Sequence, residues 1–219
     1  MTVTTDTTTR GASSRTRAAF ERFVRWTITD ERPAATRFLP EGEREPFLDY
    51  YRNLPAPGDE AAIRHYLRGF WRGEAGWTSR WIGARVATGR RVRVLDAGSG
   101  FGTYSMLYAA VGAEVIGVDL RPDRLSAAER RLAYHRERTG TELPIRYERA
   151  DLTREWSRDY DLVWVYNALS HIDPLDAFLD RVRAHLTPGG VLAVGDINGA
   201  HPAHLKRLAE LRTEVHQQY

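Results

Sequence analysis

Between Val92 and Ser105 the chain reads VRVLDAGSGFGTYS. An aliphatic run ends in Asp96, and Gly98, Gly100 and Gly102 then fall at every second position around Ser99 and Phe101. Glycines let a backbone curl beneath a ligand with no Cβ in the way. The helix-like run 103–111 that follows would turn unpaired N–H groups toward a polar or anionic group. The spacing differs from the dinucleotide fingerprint G-x-G-x-x-G/A: the third glycine comes one residue early, and Thr103 stands where Gly or Ala is wanted. A carboxylate at Asp96 would repel a pyrophosphate and attract an ammonium. Asp119 lies 21 positions after Gly98 and ends a second strand-like run. An acidic residue at about that offset is placed to hydrogen-bond both hydroxyls of a ribose. Further along stand Asp151, then Asn167 and His171 after the apolar run YDLVWVY. An imidazole titrates near neutrality and suits deprotonation of a hydroxyl or an acid. Asp173, before Pro174, reads as a helix cap.

Elements of alternating type must position these residues. Strands are expected at 92–96, 114–120, 145–149, 160–167 and 191–196, with helices from Thr103, from Pro122 to Arg138, and from Leu175 to about Leu186. The segment YDLVWVY is apolar almost throughout, as a buried parallel strand should be. The pattern predicts an α/β fold: a doubly wound, mostly parallel, Rossmann-like sheet of about five strands. In such a sheet the ligand sits over the carboxyl ends of the strands, where their order reverses. Gly98–Gly102, Asp119, Asp151 and Asn167 all fall at such ends. The many arginines of 122–138 read as a solvated helix surface.

The D-x-G-x-G-x-G stretch resembles motif I of the class I S-adenosylmethionine (SAM) methyltransferases, and Asp119 matches their second motif. The segment LTPGGVL at 186–192 is similar to a later one. The resemblance covers about residues 75–200. It implies that the glycine loop wraps the methionine part of SAM, with S-adenosylhomocysteine as product. It further implies that Leu120 touches the adenine and that Asp151, between Ala150 and Leu152, pairs with the adenine amino group. Asp151 could equally cap a helix, and the two roles are compatible. Asn167 and Ala168 would line the same pocket, and His171 could be a general base on the acceptor side or merely pack there. The implied activity is methyl transfer to a small molecule, at oxygen or carbon rather than at a nucleobase nitrogen, because Asn167-Ala-Leu-Ser170 lacks the [D/N/S]-P-P-[Y/F/W] signature. The alternatives are a SAM-fold binding or regulatory subunit inactive alone and, with Thr103 against it, an NAD(P)-dependent oxidoreductase.

Composition bounds the rest. The chain has 219 residues, 32 Lys+Arg against 29 Asp+Glu, and no cysteine. The mild positive excess has no concentrated basic tract, which disfavours nucleic acid. Without cysteine there is no disulfide or thiolate metal site, and no other metal-ligand motif appears. No apolar run suits a membrane span and no signal-peptide core is visible, so a cytoplasmic protein is expected. Residues 1–15 are expected as a disordered tail and 16–90 as a helical cap, with Asp59 capping a helix over 59–72. Within the cap, 30–60 is proline-broken, with one helical turn expected around Phe47–Tyr51. Tyr50, Tyr51, Tyr66, Trp71 and Trp77 are expected either to line a substrate pocket or to pack. Residues 91–219 are expected to form the SAM-binding unit that the resemblance implies. Its last stretch reads as a helix with Leu205, Leu208, Leu211 and Val215 on one stripe, in place of the β-hairpin that the resemblance implies. An uncovered sheet edge would then invite a homodimer or partner chain.

Overall fold

A computed structural model describes residues 7–154 and 156–196. Five parallel strands form one sheet: β1 (Arg93–Ala97), β2 (Glu114–Asp119), β3 (Ile145–Arg149), β4 (Tyr160–Tyr166) and β5 (Leu186–Gly195). Their spatial order is β3-β2-β1-β4-β5. Helices α6 (Thr103–Ala110), α7 (Pro122–Thr139) and α8 (Leu175–His185) make the crossovers. The chain winds outward from β1 to β3 and then returns to β4, so the order reverses between β1 and β4. This is the expected Rossmann-like sheet, and its strand ends open a crevice at that reversal.

Local chemistry explains the elements. In β4 every residue from Tyr160 to Val165 is buried, as expected for a strand covered on both faces. That run includes Asp161. Its carboxylate accepts the Arg93 N–H at 2.8 Å and the Thr187 hydroxyl at 3.0 Å, which ties the lower ends of β1 and β5 to β4. Pro122 opens α7, where its fixed φ suits a first turn, and Gly140 closes it with φ +67°.

The stretch LTPGG, read from the sequence as a turn before the last strand, belongs to β5. Tyr160 pairs with Leu186 and Leu162 with Val191, so the extra residues bulge between two rungs of the ladder. Gly190 has no room for a side chain there, because a Cβ would lie 2.9 Å from the Thr187 carbonyl oxygen.

The N-terminal region supplies α1 (Thr7–Trp26), α2 (Ala35–Phe38), α3 (Glu41–Tyr50), α4 (Glu60–Arg72) and α5 (Glu74–Val86). Helix α1 reaches back to Thr7, into the stretch expected as a tail. Buried Phe20, Phe23 and Val24 anchor its second half, and once that half is fixed the preceding residues extend it at little cost. A π-turn over Thr27–Glu31 leads into Pro33. Helix α3 is longer than the single turn expected. Pro46 removes one backbone donor, but the adjacent Phe47 is fully buried, and packing outweighs propensity. Asp59 caps α4 as expected, accepting the Ala62 N–H at 2.9 Å. At Gly83 a Cβ would fall 2.0 Å from the Thr16 hydroxyl, so α1 crosses α5 at close range. Phe20, Ile63 and Ile82 of these helices share one apolar cluster with Val94 of β1 and Leu162 and Trp164 of β4. The cap and the sheet therefore have a common core. The expected C-terminal helix and its leucine stripe lie outside the described residues.

Candidate active site

The glycine loop is held from below and from the side. The N–H groups of Gly98 and Ser99 both donate to the Val118 carbonyl, at 2.8 and 2.9 Å, and Gly102 N–H closes the turn on Ser99 O at 2.8 Å. Gly98, Gly100 and Gly102 have φ of +77°, +51° and +72°, a region that residues with a Cβ occupy only at a cost. Each also faces something different. A Cβ on Gly98 would sit 2.4 Å from the Ala168 Cβ, and one on Gly102 would sit 2.1 Å from the Tyr147 hydroxyl. One on Gly100 would meet nothing within 4 Å. Gly98 thus lets the β1 and β4 ends close on each other, and Gly102 lets Tyr147 wedge under α6. Gly100 keeps open the space where a ligand would lie.

Two carboxylates flank this loop. Asp119 ends β2; its Oδ2 accepts Gly100 N–H at 2.8 Å and its Oδ1 accepts Arg121 N–H at 2.9 Å. These bonds fix the group while each oxygen keeps a second lone pair for a hydroxyl donor. Asp96 ends β1 and is buried, with the Ser105 hydroxyl donating to it at 2.5 Å. Burial pushes its pKa up to about 7, the Ser105 hydrogen bonds oppose that rise, and the nearby negative charge of Asp119 adds to it. A cation placed beside Asp96 would favour the ionised form.

At the far wall, Asp151 Oδ1 accepts both the N–H and the hydroxyl of Thr153, at 2.9 and 2.7 Å. It organises its own turn, and no described helix begins there for it to cap; these bonds lower its pKa. Asn167 adopts φ +49° and donates its N–H to Gly195 O at 2.8 Å, extending the β4–β5 ladder by one rung. A 3-10 turn over Leu169–His171 follows, with the Leu169 N–H on Asp196 Oδ2 at 2.9 Å. His171 is exposed at the rim.

A cavity of about 630 Å³ lies over these strand ends, within the usual size range of a ligand site. Asp96, Gly98, Ser99, Gly100, Thr103, Asp119, Leu120, Ala150, Asp151, Leu152, Asn167, Ala168 and His171 all line it. Of the residues expected from the sequence to bind the cofactor, Gly102 alone does not; it acts from behind, as the left-handed residue before α6. A second cavity, of about 540 Å³, adjoins the first, and Tyr50, Thr103, Tyr104, Tyr166 and Asn167 line both. Tyr51, Tyr66 and Phe70 add aromatic surface to the second. Burial raises the Tyr66 pKa to about 12, with the neighbouring Tyr166 adding to the rise, so the phenol stays neutral. Trp71 and Trp77 line neither cavity. Trp71 packs edge-on against Phe20 and under the Arg80 guanidinium.

Sequence reasoning missed Tyr104 and Tyr166, which were counted only as helix and strand residues. It also missed Arg131. The α7 arginines were read as solvated, yet Arg131 has no exposed surface and forms a bidentate ion pair with equally buried Glu31, both bonds 2.8 Å. Among the described residues no three His, Cys, Asp or Glu side chains gather as metal ligands. None of the described helices is long and apolar enough to cross a membrane.

The site residues fit a nucleoside bearing an amino acid: Asp119 faces the cavity with lone pairs for a vicinal diol, Asp96 answers an ammonium, and Gly100 leaves room between them. Residues 95–192 match the family described as a methyltransferase domain. A ubiquinone biosynthesis O-methyltransferase of Cereibacter sphaeroides (strain ATCC 17029 / ATH 2.4.9) is 33% identical over 108 residues, covering 49% of this chain and 42% of that protein. The enzyme of the same name from Chelativorans sp. (strain BNC1) is 27% identical over 107 residues, covering 49% and 41%. The chain thus spans less than half the length of these curated relatives. Among solved structures, the glycopeptide N-methyltransferase MtfA complexed with sinefungin is similar at a TM-score of 0.44 and 23% identity, over 56% of this chain and 48% of that one. Residues 95–192 of this chain, which carry the glycine loop and the reversal of strand order beside it, thus match the methyltransferase-domain family.

Proposed function

We propose that this chain binds SAM in the cavity over the glycine loop and transfers its methyl group to a small-molecule acceptor, at oxygen or carbon, held in the adjoining aromatic cavity. The observation that carries this reading is the shared wall: Thr103, Tyr104, Tyr166 and Asn167 line both cavities. A binding or regulatory subunit needs only the first chamber, whereas a transferase needs two that meet.

SAM supplies a methyl group already activated by a sulfonium. The chain's own residues bind, orient and exclude water, and proximity of that kind is a large source of rate. Asp119 would hold the ribose hydroxyls, Asp96 the ammonium, and Leu120, Ala150, Asp151 and Leu152 the adenine. In the second cavity Tyr66, Phe70 and Tyr104 offer flat apolar surface with neutral hydroxyls, which suits a planar, weakly polar acceptor. His171 is the imidazole of the first cavity's rim and is the group proposed to take a proton from a hydroxyl acceptor. The O-methyltransferase names of the relatives support oxygen as the acceptor atom.

The test is calorimetric titration with SAM and S-adenosylhomocysteine, beside Asp119→Ala, followed by a methyl-transfer screen over phenolic and enolic small molecules. Binding that weakens about tenfold in the variant, a loss of about 1.4 kcal/mol, together with turnover of an acceptor, is expected. A folded chain that binds neither ligand would sink the reading. Binding without turnover of any acceptor would favour the regulatory subunit.

A further inference from the structure

The second cavity changes character from its interior to its rim. Buried Phe23, Val24 and Leu107 and half-buried Phe70 give it apolar inner walls. Among its described lining residues only Asp49 and Arg52 carry a full charge. Their side chains are 70% and 69% exposed, and Arg52 Nη1 donates to Asp49 Oδ1 at 2.9 Å. An exposed pair three positions apart adds little stability, so it opens readily to a ligand that offers both charges. Its place on the rim is nonetheless fixed. Arg32 Nη1 donates to the Tyr51 and Leu54 carbonyls, at 3.3 and 3.0 Å, and its Nη2 donates to the Pro55 carbonyl at 2.8 Å. Buried Arg131 donates to the Tyr51 hydroxyl at 3.0 Å and to the Phe101 carbonyl of the glycine loop. The segment that carries Asp49 and Arg52 is thus clamped by its backbone and by its Tyr51 side chain.

We infer that the methyl acceptor is an aromatic amino acid with a ring hydroxyl. Its ring lies among Tyr66, Phe70 and Tyr104, its ammonium meets Asp49, and its carboxylate meets Arg52. The inference rests on the transferase reading above and names the acceptor class of that same cavity. A ligand with one charge would meet an attracting and a repelling group at the same spot on the rim. A zwitterion satisfies both, because an amino acid carries its ammonium and carboxylate on one carbon, as close together as Asp49 and Arg52 are. Complementarity of this kind selects among ligands more than it adds affinity. The planar, weakly polar part of the ligand is left to the aromatic interior.

The test is calorimetric titration of the chain, saturated with S-adenosylhomocysteine, with four probes that share one phenol ring. L-Tyrosine carries both charges, tyramine the ammonium alone, para-hydroxyphenylpropionate the carboxylate alone, and para-ethylphenol neither. Tyrosine is expected to bind about fivefold more tightly than each of the others, the scale of one solvated ion pair. Arg52→Gln is expected to weaken tyrosine and hydroxyphenylpropionate but not tyramine. Asp49→Asn is expected to weaken tyrosine and tyramine but not hydroxyphenylpropionate. Unchanged affinity for S-adenosylhomocysteine shows that both variants are folded. Equal affinities for the four probes, no binding of any of them by a chain that holds S-adenosylhomocysteine, or losses that ignore the charge of the probe would overturn the acceptor class and leave the SAM reading standing. Failure of the wild-type chain to bind S-adenosylhomocysteine would overturn both.

Discussion

Arg131 of α7 and Glu31 of the π-turn, a hundred positions apart in sequence, meet in two parallel 2.8 Å bonds at a place where neither side chain has any exposed surface. Burial alone would lower the arginine's pKa; the Glu31 charge, with Tyr51 adding, more than reverses that and raises it. The pair is the polar fastening between the N-terminal helices and the glycine loop. Breaking one side leaves the other as an unpaired buried charge, which costs about 3–5 kcal/mol. Arg131→Met and Glu31→Leu are each expected to lose about that much in urea denaturation. The double variant is expected to lose less than the sum of the two. Additive losses would show that the two residues are not coupled.

Two of the loop glycines, Gly98 and Gly100, are expected to separate by phenotype. Gly98→Ala forces a Cβ against Ala168 at the β1–β4 junction and should cost about 1–3 kcal/mol of stability, seen as a lower midpoint of thermal unfolding. Gly100→Ala meets open space and carries only the left-handed penalty of about 1–2 kcal/mol, yet its methyl group enters the cavity. Its affinity for S-adenosylhomocysteine should fall further than that stability loss accounts for. A Gly100→Ala chain that binds like wild type would show that the ligand does not lie over this residue.

Asp96 sets a pH dependence whose sign is fixed. Its pKa of about 7 in the folded chain exceeds the value of about 3.9 for an unperturbed Asp. Between those two values the folded chain holds a proton that the unfolded chain has lost. The stabilising contribution is therefore full below about pH 4 and is lost as pH rises toward about 7. A cationic ligand ammonium would expel that proton. SAM binding near pH 6 is thus expected to release protons, measured by calorimetry in two buffers of different ionisation enthalpy. Asp96→Asn, which keeps an acceptor for Ser105, should abolish the release. A buffer-independent binding enthalpy in the wild-type chain would refute the role.

His171 stands at the rim of the first cavity, exposed, with its backbone N–H donated to Ala168 O at 3.0 Å. If it removes the acceptor proton, His171→Ala should lower kcat by about 10²–10⁴-fold and leave the S-adenosylhomocysteine dissociation constant unchanged. A base supplied in solution, such as imidazole, should restore part of the rate. A change in kcat below threefold would assign His171 to the rim and the proton to solvent.

The parts of the site legible in the sequence are those whose chemistry is written in local spacing. Gly98, Gly100 and Asp119 follow one another at distances that a strand, a turn and a helix impose, so one segment reveals them together. The sheet was legible for the same reason, since YDLVWVY shows its burial without reference to anything else. Arg131 is different. Its neighbours Arg130 and Arg136 are ordinary charged positions on the same helix, and what sets Arg131 apart is Glu31 on a segment the prolines had marked as irregular. Tyr104 and Tyr166 likewise become cavity walls only when α6 and β4 lie side by side, with ring centroids 4.7 Å apart. The stretch LTPGG carried turn chemistry that is real, but it is spent inside a strand as a bulge.

The position of the reversal between β1 and β4 has a consequence for how the chain acquires its site. The units from β1 through β3 can pair along the chain as each strand is made, and every contact in them is comparatively local. The link from Arg93 to Asp161 instead joins residues 68 positions apart, and loop closure of that length is slow to be rewarded. Until it forms, Gly98 has no Ala168 opposite it and the crevice has only one wall. The capacity to hold a ligand is thus a late property of folding, and a chain able to bind has already completed the least local contact of its sheet.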